Sequence, residues 1–388
     1  MKRLRVLILL SFGHLVSHWY IGVLMMVTPL IKQDFSLSFT EVGLIITLRS
    51  LAGAMGNTTS GIIVDLLGRP LTILAISSTG LALCWFGVGF VYFYPLLLLL
   101  LPLATLFSNL WHAPAMSVLS TTYQERRGLA LGVHGSAANL GQSISPLVVA
   151  FLITAFGWRT AVKAQILPGM VLAVLLILFL PKLGTTQFRK KAMGDFLELV
   201  KNRLLKNKEL LLITMMSSFR TMGQRCIETY LPLYFAVQLG LNTVWVGFYL
   251  SVLTFSSTFP EPLIGWFSDR VGRRSILWIS LTLSGLSVIA ITMVPAGVPL
   301  LVSVALLGLF HYSLRPIIFA FALDVTPPEI GATTISYVFT WNQAISAIAP
   351  LVGGFLADAL GIQYALYFVT LLSLTSAVFA GVIKEKGG

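Results

Sequence analysis

Gly265-Trp266-Phe267-Ser268-Asp269-Arg270-Val271-Gly272-Arg273-Arg274 is the stretch from which the fold can be read. A weaker copy, Gly61-Ile62-Ile63-Val64-Asp65-Leu66-Leu67-Gly68-Arg69-Pro70, stands 204 residues earlier, beginning at position 61 instead of 265. Both follow long apolar runs and gather charge where the chain leaves them. The same register continues on either side: Val42-Gly43 matches Val246-Gly247, Glu125 matches Glu329, Pro146 matches Pro350 and Gly157 matches Gly361. Matches held in one register over several segments indicate an internal duplication. The halves are 1–181 and 209–388, joined by a connector over 182–208.

Of the 388 residues, 56% are apolar and 10% charged, against roughly a quarter charged in soluble domains. Apolar stretches of about 20 residues, the length that crosses a hydrocarbon core, recur throughout. They predict spans at 6–31, 41–64, 71–91, 95–119, 128–152, 160–181, 209–237, 242–266, 275–295, 298–323, 332–356 and 363–383. The expected fold is an all-α membrane protein of twelve transmembrane helices in two pseudo-symmetric six-helix bundles. Two parallel six-helix repeats, holding substrate between them near the midplane and rocking against each other, form a transporter plan.

The net charge of +12 is explained by topology. Lys2, Arg3, Arg5, Arg69, Arg126, Arg127, Arg270, Arg273, Arg274, Lys384, Lys386 and eight basic residues of the connector fall on one side of the predicted spans. Lys32, Arg159 and Lys163 fall on the other. The positive-inside rule then puts both termini in the cytoplasm, as expected for a multi-pass protein of the inner membrane. No nucleic-acid partner is expected. The basic, apolar first segment reads as an uncleaved helix, because no small-residue cleavage site follows it. In the connector, Met193, Phe196, Leu197, Val200 and Leu204 recur at helical spacing among basic residues, the pattern of an amphipathic helix on the lipid surface. Cys84 and Cys226 lie in different spans and read as packed thiols.

The two charged stretches resemble the cytoplasmic G-x-x-x-D-R-x-G-R-R signature of the major facilitator superfamily. The resemblance implies that Asp65, Arg69, Asp269, Arg270, Arg273 and Arg274 gate the cytoplasmic side. The first copy departs from the pattern at Leu66 and Pro70, so its latch is expected to be the weaker. Ser11-Phe12-Gly13-His14-Leu15-Val16-Ser17-His18-Trp19-Tyr20-Ile21-Gly22, Trp111-His112-Ala113-Pro114 and Arg126 to Pro146 resemble fosmidomycin-resistance-like transporters. There an Asn-Asp pair is usual where Ser17-His18 stands, which puts substrate and coupling site in question. Gly132, Gly141, Ser145 and Pro146 have the spacing of the antiporter motif of drug/proton exchangers, with Ser145 in a glycine position. Small residues and a proline at such spacing also serve close packing and kinking. The family resemblance favours export.

Arg49, Arg220, Arg225 and Arg315 fall within spans, where each costs about 2.5–3.5 kcal/mol unless it faces the protein interior. Only Glu228 and Glu261 are clearly intramembrane acids, so an anionic substrate would balance the interior, and guanidinium groups suit carboxylate or phosphonate. Arg49, Arg225 and Arg315 are near mid-span, whereas Arg220 is nearer the cytoplasmic end and is expected to snorkel. Arg225 and Glu228, three residues apart, can also neutralise each other. All five histidines, His14, His18, His112, His134 and His311, fall in spans. Imidazole exchanges protons near neutral pH. The expected proton-coupling residues are therefore His14, His18, Glu228 and Glu261. His112 and His311 join the three arginines as substrate ligands, with Trp19, Tyr20, Trp111, Tyr230, Trp341 and Asn342 as walls. Pro260-Glu261-Pro262 reads as a hinge.

The leading expectation is thus proton-coupled export of a small organic anion by a monomer in the bilayer. Uptake of an organic anion on the same fold stays open. So does transport of a divalent transition metal by His14, His18, His112 and Cys226, although arginines repel a dication and no metal site is assigned. No zinc-protease motif, nucleophile elbow or phosphate-binding loop is present, so neither an enzyme nor a cofactor is expected.

Overall fold

The computed structural model describes residues 2–67, 69–124, 127–180, 206–327 and 330–384. The expected connector helix lies outside the described residues. The helices are α1 (Lys2–Asp34), α2 (Phe39–Leu67), α3 (Pro70–Val88), α4 (Tyr94–Asn109), α5 (His112–Thr122), α6 (Arg127–Phe156), α7 (Trp158–Ala164) and α8 (Ile166–Phe179). After the connector come α9 (Lys208–Leu233), α10 (Thr243–Thr258), α11 (Pro260–Val271), α12 (Arg273–Met293), α13 (Val298–Tyr312), α14 (Arg315–Asp324), α15 (Gly331–Ser346), α16 (Ala349–Leu360) and α17 (Ile362–Val382). There is no strand among the described residues.

Nine of the described segments are long and apolar enough to cross a bilayer. The other three helical stretches occupying predicted spans are α2, α9 and the α10–α11 pair. These are the stretches that carry Arg49, then Arg220, Arg225 and Glu228, then Glu261. Charged and hydroxyl side chains lower their apolar character, so the segments that look least like lipid-soluble helices hold most of the candidate site.

Several spans are broken. The helix interrupts between Asn109 and His112, between Tyr312 and Arg315, and between Ser346 and Ala349. At the segment expected to be a hinge the helix breaks at Phe259, and Glu261 lies in the first turn of α11, where the helix dipole favours a carboxylate. α9 runs past Pro232 into a π turn, Tyr234–Gln238.

Two contact units emerge. One joins α1–α8 with residues 235–251, and the other comprises α9 and the chain from 252 onward. Residues 235–251 follow the duplicated half's first helix, yet they group with the first unit. A Cβ on Gly247 would stand 2.8 Å from Pro146 O and 2.7 Å from Ala150 Cβ, and Leu147 N donates to Ser251 Oγ at 3.2 Å. In the second unit, Leu210, Ile213 and Met216 of α9 pack with Leu277, Leu281, Ile317 and Phe321. α8 buries Gly169, Leu172, Ala173 and Leu176 but exposes Leu167, Val171, Val174, Ile177 and Leu178. An apolar exposed face with small residues turned inward is what a lipid environment selects.

The duplication has a backbone counterpart. Gly157 and Gly361, matched by the repeat, precede α7 and α17 with φ of 75° and 109°, a region that L residues other than glycine rarely occupy.

Candidate functional site

In the first unit, glycines bring α1 against its neighbours. Gly13 lies under Trp111, Gly141 under the Leu15 carbonyl, and Gly22 beside Ser145 and Pro146. Ser145 Oγ donates to Trp19 O at 2.7 Å. Gly141, Ser145 and Pro146 therefore build the α1–α6 seam, while nothing lies within 4 Å of a Cβ on Gly132. The seam accounts for most of the antiporter-like spacing as packing.

That packing gathers four histidines. The His14 ring lies 4.8 Å from His18, 5.3 Å from His112 and 4.1 Å from His134, centroid to centroid. His14 Nδ1 donates to the His134 carbonyl at 2.9 Å; a carbonyl only accepts, so this bond fixes the proton on Nδ1. Ligating atoms of His14, His18 and His112 lie within 4.8 Å of one another. His134, which sequence reasoning set apart, is stacked on His14.

Arg49 is half-buried, and its Nε donates to Thr105 Oγ1 at 2.9 Å. Trp19 Nε1 donates to Gln165 Oε1 at 2.8 Å, and Tyr20 OH donates to Gln165 O at 2.5 Å. Tyr20 and Trp111 are both buried.

The second unit carries a polar ladder. Arg220 is 3% exposed; it does not snorkel, because its partners lie inside. Its Nε donates to His311 O at 3.1 Å and its Nη2 to Gln224 Oε1 at 2.9 Å. Gln224 Nε2 then donates to Glu228 Oε1 at 2.9 Å. Arg225 pairs with Glu228 at 3.6 Å and donates from Nη2 to Gln343 Oε1 at 2.9 Å. Tyr312 is buried in the field of Glu228, Arg220, Arg225 and Arg315, and Arg220 also lies in the field of Glu261.

Around the ladder, His311 is buried, with Nδ1 2.9 Å from Ser284 Oγ. Asn342 is buried between Ser217 and Ser218, and Tyr230 OH donates to Pro350 O. Trp341 and Arg315 are exposed. Sequence reasoning missed Gln224, Tyr312 and Gln343. Gln224 was findable, since 220, 224 and 228 share one helical face.

Of the residues expected to gate, Arg273 pairs with Asp269 at 2.8 Å and with Asp324 at the end of α14. Arg270 lies over the Trp266 ring at 3.5 Å, and Arg274 donates to Gly381 O. Arg69 is exposed; the Asp65 side chain lies outside the described residues.

Comparison with known proteins gives one consistent answer. The family model described as Major Facilitator Superfamily matches residues 10–260 and 251–386. The fosmidomycin resistance protein of Escherichia coli K12 is 23% identical over 365 residues, covering 91% of this chain and 86% of its own. The cis,cis-muconate transport protein of Acinetobacter baylyi is 23% identical over 376 residues, covering 92% and 88%. A crystal structure of a bacterial homolog of the human lysosomal transporter Spinster superposes with a TM-score of 0.84 at 15% identity, over 98% of this chain and 96% of that one.

Proposed function

The chain belongs to the Major Facilitator Superfamily, a multi-pass membrane transporter and not an enzyme, and from that premise we propose that it moves a small organic anion by proton-coupled alternating access. The observation that carries this reading is the charge group of the second unit. Arg220, Arg225 and Arg315 share their surroundings with Glu228 and Glu261, a cationic excess that an anion offsets. Arg225 is half-exposed and Arg315 exposed, so these two guanidinium groups are the proposed substrate ligands. A carboxylate or phosphonate can take two parallel N–H donors from each. Arg220 is assigned a positioning role, since it is buried and two of its N–H groups serve His311 O and Gln224.

The coupling proton is assigned to Glu228. It sits against Arg225 and accepts from Gln224, so protonation releases Arg225 from its partner as the anion arrives or leaves. Glu261, at the α10–α11 break, is the second acidic candidate. Trp341, exposed on α15, is proposed as an aromatic contact for the substrate, and Asn342, bonded to Ser217 and Ser218, as its support. The proposed setting is the cytoplasmic membrane, as a monomer with both termini inside.

Export is the proposed direction, on the similarity to the fosmidomycin resistance protein. Uptake is the second reading, favoured by the similarity to a muconate transport protein and by the packing role of Gly141 and Ser145. The test is flux of labelled fosmidomycin and cis,cis-muconate in proteoliposomes of known protein orientation under an imposed pH gradient. Anion flux that follows the gradient, and falls at least about tenfold in Arg225→Gln and Arg315→Gln, is expected; a tenfold loss corresponds to about 1.4 kcal/mol. Equal flux of a neutral lipophilic drug, or flux indifferent to the gradient, would overturn the anion or the coupling respectively.

A further inference from the structure

We propose that His14, His18 and His112 form a binding site for one divalent transition-metal ion of the zinc class, within the first unit. Imidazole nitrogen suits zinc, copper, nickel and cobalt, and three histidines with an open fourth position are a familiar coordination set.

The geometry fits such an ion in three respects. The ligating atoms lie within 4.8 Å of one another, whereas tetrahedral ligands at 2.0–2.1 Å from zinc stand about 3.4 Å apart. The difference is within the swing of an imidazole about χ2. The three rings are also mutually steep, at 88°, 80° and 79°, which lets them converge on a point in place of stacking on one another. Finally, His14 donates its Nδ1 proton to the His134 carbonyl. This leaves Nε2 as the ligand, and a backbone carbonyl is a common outer-shell partner of metal-bound histidine.

The fold holds the set in register. His14 and His18 are one turn apart on α1, and His112 opens α5 immediately after the break that ends at Trp111. Gly13 fits beneath Trp111 and Ser17 Oγ lies 2.8 Å from Ser108 Oγ, so the residues flanking each histidine pin α1 to that break. All three histidines are half-buried and therefore open to an entering ion. In the first unit Arg49 is engaged with Thr105.

The test is a titration of the full-length protein, purified without a histidine tag, with Co²⁺ and then Zn²⁺. One equivalent of Co²⁺ per chain should give visible bands of a low-coordinate nitrogen-ligated ion, and one equivalent of Zn²⁺ should displace it. His14→Gln, His18→Gln and His112→Gln should each weaken binding by more than the roughly 10–100-fold that loss of an outer-shell partner costs. His134→Gln keeps its carbonyl and should stay within that range. Absence of cobalt bands in the unmutated protein overturns the site, whatever the variants do. Retention of a full equivalent by the triple Gln variant overturns it equally. Neither result bears on anion flux through Arg225 and Arg315.

Discussion

The ring of Trp111 fills the place where Gly13 would carry a side chain: a Cβ there would stand 2.0 Å from Trp111 Cη2. Trp111 is 1% exposed, so its ring has nowhere to retreat. Gly13→Ala should lower the thermal unfolding midpoint by an amount equivalent to about 1–3 kcal/mol, the usual cost of overpacking. It should also spread the neighbouring histidines. A smaller residue at position 111 should recover part of the loss, measurable in detergent by a double-mutant cycle.

Gly361→Ala tests a different cost. Nothing lies within 4 Å of a Cβ there, but φ is 109°, so the penalty is one of backbone conformation alone. The expected loss is about 1–3 kcal/mol, and Gly157→Ala, at the matched position, should behave alike. A neutral result at both would show that the turns before α7 and α17 relax.

Arg220→Leu should cost stability before it costs recognition. It strips charge-assisted hydrogen bonds from His311 O and Gln224, each worth about 1.5–3 kcal/mol. Glu228→Gln should leave the melting temperature nearly unchanged while abolishing the response of flux to the pH gradient; counterflow exchange should persist. Loss of exchange as well would remove Glu228 from the coupling role.

Arg273 should matter to rate and little to stability. Its aspartate partners are 61% and 52% exposed, and such surface pairs contribute about 0–1 kcal/mol. Arg273→Ala and Asp324→Asn are each expected to slow transport several-fold, with the double variant no slower than the worse single. Additive slowing would mean that the two residues act separately.

Much of this was readable from residue order alone. Span length follows from bilayer thickness, and the charged turns from the repeat, so α1 to α17 fall where apolar runs predict them. What escaped were relations between helices. Arg220 looked peripheral by its position along α9, but its hydrogen-bond partners include the carbonyl of His311 on α13. Trp111 and Tyr230 are buried, which aromatic residue type alone does not disclose. The stacking of His134 on His14 depends on a seam of glycines whose contacts no single helix encodes. The convergence of His14, His18 and His112 escaped for a similar reason: it needs α1 and α5 side by side, which their spacing in the chain does not disclose.

The ladder on α9 has a directional consequence. Arginine only donates, so Gln224 must turn its oxygen toward Arg220, which leaves its amino group facing Glu228. Because Arg220 has no acceptor to offer in exchange, the amide cannot turn over, and a carboxyl group keeps an oxygen that accepts from it in either ionisation state. The ladder therefore carries the donor character of Arg220 two helical turns, about 12 Å, along α9 and presents Glu228 with a fixed N–H donor.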